Sequence, residues 1–234
     1  MVHFGIQRCF WADQVKEMDD VMKKKLLGYY DYTVILTYCG MLCAFCGILR
    51  IMNEDYWDAV LCLLLSGVCD MFDGAVAATK MRMDNEKKFG IQIDSLSDLV
   101  SFGVLPGIFV YMISGKNIFA GLTAALFVLC ALIRLAYFNV QEEERQKKTG
   151  ERRKSYLGVP VTTIALFLPG TYLLYDHGVF RNTICFSILL ALMGTGYLLP
   201  VEIKKPGVLG KAGIILLGIF EVMGMLIFMG WDAV

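Results

Sequence analysis

Apolar residues run along this chain in seven stretches, each about long enough for one membrane crossing: 31–52, 56–79, 91–114, 117–140, 157–176, 181–201 and 209–231. A transmembrane helix needs about 20 mostly apolar residues. The polar gaps are short, so the pattern predicts one all-α polytopic membrane helical bundle without internal repeats. Ahead of the first span, Trp11, Val15, Met18, Met22 and Leu26 recur at helical spacing with Lys and Asp between them. This predicts an interfacial helix over 10–28, lying on the membrane surface. The same residues also read as an unstructured leader ending in Lys23-Lys24-Lys25. The expected organisation is an N-terminal interfacial segment over 1–30, a transmembrane core over 31–201 and an additional transmembrane segment over 202–234.

Loop charges orient the bundle. Lys23, Lys24 and Lys25 precede the first span, and Lys80, Arg82, Lys87 and Lys88 follow the second. Arg145, Lys147, Lys148, Arg152, Arg153 and Lys154 follow the fourth, and Lys204, Lys205 and Lys211 follow the sixth. The alternate loops are nearly free of basic residues. The positive-inside rule then predicts a cytoplasmic N-terminus, with the C-terminus of a seven-span chain outside.

Composition agrees with a membrane protein. Of 234 residues, 57% are hydrophobic and only 19% charged, and the mean hydropathy is +0.58. The 22 basic and 22 acidic residues cancel, which disfavours nucleic acid as a partner. Seven of the eight cysteines lie within apolar stretches, where Cys behaves as a small hydrophobe. Cys43 and Cys46 have C-x-x-C spacing, but no second pair or nearby His completes a zinc pattern. No apolar signal-peptide core is visible in Met1–Lys25.

Four aspartates break the apolar pattern. Asp70 and Asp73 close the second span at i, i+3, and Asp94 and Asp98 open the third at i, i+4. Either spacing puts both carboxylates on one helix face. Ionisable groups inside a membrane are costly and mark functional sites by default. The two helices are consecutive and joined by a short loop, so all four carboxylates are expected to converge at the cytoplasmic end of the bundle. Carboxylates that close repel unless protonated or bridged by cations. A hard, all-oxygen donor set without His or Cys points to Mg²⁺ or Mn²⁺. Gly74, Ala77 and Gly90 are small enough for close helix packing or for a ligand to reach backbone. A cation-coupled transport site is the rival reading of the same cluster. Glu221, inside the last stretch, has no partner legible in sequence.

The motif Asp70-x-x-Asp73-Gly74-x-x-Ala77, followed by Gly90-x-x-x-Asp94-x-x-x-Asp98, resembles the signature of the CDP-alcohol phosphotransferases. Further segments are similar to the phosphatidylserine synthase branch: Phe89 to Pro106, Arg134 to Asn139, and Tyr156 to Pro160. The resemblance implies a six-helix catalytic core, with the seventh span an addition. It implies transfer of the phosphatidyl group of CDP-diacylglycerol to an alcohol, with L-serine the expected acceptor and CMP the second product. Asp70, Asp73 and Asp94 would hold the metal, and Asp98 would act as general base and share in metal binding. Asp70, Gly74 and Ala77 would meet the nucleotide. Ala78 stands where the family has arginine, so Lys80 or Arg82 would reach the nucleotide's phosphates instead. Arg134 would bind the acceptor's carboxylate or else snorkel to the interface, and Asn139 would bind acceptor or cap its helix. The family also implies dimerisation; membrane lipids are expected as partners, and a bacterial plasma membrane as the location. The rivals are glycerol 3-phosphate or inositol phosphate as acceptor, and a CDP-lipid-binding protein impaired in catalysis.

Overall fold

The computed structural model describes residues 28–80, 83–148 and 155–204, with residues 213, 216, 218 and 220–224 of the last apolar stretch. The interfacial segment over 10–27, Arg82 and the loop 149–154 lie outside the described residues. The bundle belongs to the second of two compact units, residues 32–234.

A 3-10 turn, Tyr32–Val34, leads into α1 (Ile35–Met52), followed by α2 (Tyr56–Ala77) and α3 (Asp84–Asp98). A π-helical turn, Leu99–Val104, joins α3 to α4 (Leu105–Ile113) without a break. Then come α5 (Ile118–Lys148), β1 (Ser155–Leu157), α6 (Ile164–Asp176), α7 (Ile184–Leu198) and β2 (Glu202–Lys204). Among the described residues, four helices are long and apolar enough to cross a membrane: Tyr32–Met52, Tyr56–Ala77, Asp84–Ile113 and Ile118–Arg145. The chain is an integral membrane protein, built as a polytopic helical bundle.

Side-chain size explains the packing. Along α5, Leu122, Leu126, Leu129 and Ile133 face outward, while Ala120, Ala124 and Ala131 are buried. Large apolar residues on the lipid side and small ones inside let the backbones approach closely. At the α1–α2 contact, a Cβ on Gly47 would lie 2.8 Å from Leu105 Cδ1 and 3.0 Å from Cys62 Cβ. Only glycine fits there.

The helices depart from the expected spans where polar chemistry extends or stops them. The third begins at Asp84 rather than 91, because the Met83 N–H donates to Glu86 Oε2 (3.0 Å) and acidic Asp84 and Glu86 occupy the first turn. This moves Asp94 and Asp98 well inside a continuous helix. The fourth runs on to Lys148, and Arg145 pairs with Glu142 one turn back. The fifth starts only at Ile164, because Gly158 (φ +80°) and extended Pro160 hold the chain out of helix. The segments before α6 and after α7 form a two-stranded antiparallel ribbon, Tyr156 opposite Ile203. Its end is fixed by the Gly158 N–H donating to Val201 O at 2.7 Å.

The two ends of the bundle differ sharply. At the end where α2 begins and α4 and α6 finish, rings pack edge to face: Tyr56 on Phe109 (5.5 Å), Trp57 on Tyr172 (5.0 Å) and Phe109 on Phe186 (5.9 Å). The aspartates gather at the other end. In the last stretch, the described residues 213, 216, 218 and 220–224 are helical, and Glu221 packs against α6 at Gly170, where a Cβ would stand 3.2 Å from Glu221 Oε1.

Candidate active site

The site forms where the last turns of α2 face the last turns of α3 beside the start of α1. Carboxylate oxygens of Asp70, Asp73 and Asp94 all lie within 4.8 Å of one another. Asp98, one turn beyond Asp94, lines the same pocket. The carboxyls face one another across the helix pair: Asp70 and Asp73 of α2 and Asp94 and Asp98 of α3 line one pocket. The i, i+3 and i, i+4 spacings have thus brought all four acidic groups to one place.

Helix α1 supplies the support. Thr37 Oγ1 donates to Asp73 Oδ2 at 3.1 Å, and Ser97 Oγ donates to the Thr37 carbonyl at 3.3 Å. These bonds tie α1, α2 and α3 together around the carboxylates. Asp94 Oδ1 is buried and has no hydrogen-bond partner. An unpaired buried carboxylate oxygen beside other carboxylates is poorly placed for anything except a cation or a proton. The donor set is all oxygen and the oxygens are close enough for one ion, so these residues fit a hard divalent cation.

The other expected residues fall into two groups. Gly74 is exposed on the turn after Asp73, and a Cβ there would meet nothing within 4 Å, so a ligand has open access to its backbone. Ala77 ends α2, and Ala78 and Lys80 are exposed just beyond it. Asn139 accepts a hydrogen bond from Ser95 Oγ at 2.7 Å, which links α5 to the residue beside Asp94. Arg134 is only 6% exposed. Its Nε donates to Val159 O at 3.4 Å, and its guanidinium lies 5.9 Å from the Phe138 ring centroid. These contacts hold the cation inside the bundle.

The profile of the CDP-alcohol phosphatidyltransferases matches residues 33–198, well over half of the chain. The chain belongs to this family. A CDP-diacylglycerol–serine O-phosphatidyltransferase of Saccharomyces cerevisiae is 38% identical over 130 residues, covering 51% of this chain and 46% of the relative. An archaetidylserine synthase of Methanothermobacter thermautotrophicus is 32% identical over 154 residues, covering 64% of this chain and 61% of the relative. A CDP-diacylglycerol–serine O-phosphatidyltransferase of Methanocaldococcus jannaschii is 31% identical over 172 residues, covering 74% of this chain and 73% of the relative. The chain therefore spans about half the length of the yeast relative and under two thirds of the archaetidylserine synthase. No solved structure matches.

The matched region contains every element that builds the aspartate pocket. Sequence reasoning missed the hydroxyls of that pocket: Thr37, Ser66, Ser97 and Ser101. Ser97 was within reach, because Asp94, Ser97 and Asp98 share one face at i, i+3 and i+4; Ser101 lies on the π-helical turn beyond, where that spacing does not apply. Thr37 carries no such signal; only the crossing of α1 over α2 reveals it.

Proposed function

We propose that the chain transfers the phosphatidyl group of CDP-diacylglycerol to L-serine, giving phosphatidylserine and CMP. The observation that carries this reading is the meeting of four intramembrane carboxylates in one pocket at one end of the bundle. The names of the relatives favour serine over other alcohols. The cation is Mg²⁺ or Mn²⁺, and the site faces the cytoplasm, where serine and CMP exchange with water while the acyl chains stay in the bilayer. Residues 31–201 form the catalytic core, with 1–30 an interfacial segment and 202–234 an added span.

Asp70, Asp73 and Asp94 hold the cation, with Asp98 beside them. When bound, the ion neutralises the pyrophosphate and the departing CMP. Gly74 and Ala77 let the nucleotide lie against the end of α2, and Lys80 and Arg82 take the phosphate contact that arginine makes elsewhere in the family. Asp98 accepts the proton from the serine hydroxyl as its oxygen forms a bond to the lipid-bearing phosphorus and the bond to the CMP oxygen breaks. Asn139 and Arg134 orient the acceptor, Arg134 by pairing with the serine carboxylate. Asp98 and the metal-bound carboxylates are fixed by helices that do not need to move, and phosphoryl transfer depends above all on positioning and charge neutralisation.

The test is CMP release by the purified chain with CDP-diacylglycerol, Mn²⁺, and serine, glycerol 3-phosphate or inositol phosphate in turn. Release with serine alone is the expected result. Release with a phosphorylated acceptor alone rejects the choice of serine. Arg134→Lys is expected to raise the KM for serine about tenfold or more, the worth of a bidentate charged contact, while the KM for CDP-diacylglycerol stays put. Equal changes in both constants would assign Arg134 to structure alone.

Ala78 favours a second reading, a CDP-lipid binder impaired in catalysis. The two separate on Ala78→Arg. For a competent enzyme the change alters kcat/KM by less than about tenfold, since a single added contact at an exposed position is worth about 1.4 kcal/mol at most. Turnover in the arginine variant alone would establish the binder.

A further inference from the structure

Hydroxyls line the membrane-buried floor of the aspartate pocket, where a bundle would ordinarily carry apolar side chains. Thr37, Ser66, Ser97 and Ser101 are each at most 8% exposed, and all four face the pocket. Thr37 and Ser97 have partners. Ser101 differs: the residue is 1% exposed, and its Oγ is buried without a hydrogen-bond partner. Leaving a buried hydroxyl unpaired costs about 1–3 kcal/mol. Such an orphan in a polar cavity calls for a bound group. The pocket has a free volume of about 10 Å³. That is about the space one water molecule needs.

The backbone explains how Ser101 comes to face this space. Pro106 has no N–H to give the Phe102 carbonyl, and its ring crowds that carbonyl in a regular helix. The chain answers with the wider π-helical turn Leu99–Val104 directly after Asp98. Single π turns of this kind occur often at functional sites. Here the turn carries Ser101 into the pocket that Asp98 lines from the preceding turn.

We propose that Ser101 is a positioning residue for Asp98, acting through one water held between the Ser101 hydroxyl and the Asp98 carboxylate. The water accepts from Ser101 Oγ–H and donates to one Asp98 oxygen. The other oxygen is thereby turned toward the acceptor's hydroxyl. Ser66, facing from α2, lines the same space. This inference rests on the role of Asp98 as base in the proposed reaction.

Two measurements test it. The first is a structure of the wild-type chain at a resolution that shows ordered waters. Density for one water between Ser101 and Asp98 is expected, and its absence overturns the proposal whatever the acceptor proves to be. The second is kinetic. Ser101→Ala is expected to lower kcat for CMP release about tenfold, a part of the roughly 10²–10⁴-fold that the base itself contributes. KM for both substrates and the affinity for Mn²⁺ should stay within about twofold. Ser101→Thr, which keeps the hydroxyl, should recover most of the rate. Unchanged kcat in Ser101→Ala, or a parallel loss of Mn²⁺ affinity, overturns the proposal. A wild-type chain that turns over another alcohol rejects serine as acceptor and leaves both measurements decisive, with that alcohol as substrate.

Discussion

Asp94→Asn is expected to abolish divalent-cation binding and to cut CMP release by about a thousandfold or more, the scale of losing charge stabilisation at a phosphoryl centre. Asp94 belongs to the close trio with Asp70 and Asp73, and its buried Oδ1 has no hydrogen-bond partner. An asparagine keeps the size but replaces an anionic oxygen with a neutral amide. The same change carries a second signature. Without metal, one fewer carboxylate in the pocket relieves like-charge repulsion, so the metal-free variant should melt above the metal-free wild type. Wild type should gain stability on adding Mn²⁺, by the linkage of binding to folding, and the variant should not. Thermal melts with and without Mn²⁺, alongside CMP release, check both parts. A variant that still gains stability with Mn²⁺ would take Asp94 out of the metal set.

Asp98→Asn should separate chemistry from binding. Asp98 lines the pocket and meets Asp70, yet it stands outside the trio whose oxygens lie closest together. A general base contributes about 10²–10⁴-fold. The variant should lose turnover on that scale while its affinity for CDP-diacylglycerol and Mn²⁺ changes only a few-fold. Isothermal titration with a CDP-lipid, run beside single-turnover CMP release, measures the two quantities. Near-normal turnover would remove the base assignment. Loss of binding in step with turnover would make Asp98 a metal ligand first.

Much of this was legible because burying charge in a membrane is costly. Four aspartates in otherwise apolar helices had to be explained, and their i, i+3 and i, i+4 spacing already put each pair on one face. The apolar stretches located the long helices for the same reason. What sequence could not supply was decided by short-range polar chemistry and by crossings. The capping contact of Met83 with Glu86 lengthens α3 into a polar segment that hydropathy passes over. Gly158 and Pro160 delay α6 although the residues around them are apolar. Thr37 reaches Asp73 only because α1 packs along α2, and nothing in its own surroundings marks it. Arg134, which sequence left between the acceptor and the interface, is buried against the Val159 carbonyl, a contact that only the crossing of the helices reveals.

The asymmetry of the bundle also bears on mechanism. A transporter must open its site to both sides of the membrane. Here one end is sealed by interlocked rings of Tyr56, Trp57, Phe109, Tyr172 and Phe186, while the carboxylates lie at the other. That division suits an enzyme whose lipid enters from the bilayer and whose polar products leave on one side.

The most direct measurement is anomalous diffraction from crystals of the full chain grown with Mn²⁺. The account predicts a peak among the carboxylates of Asp70, Asp73 and Asp94, within coordination distance of each. A peak elsewhere, or the three side chains turned away from one another in the crystal, would contradict it.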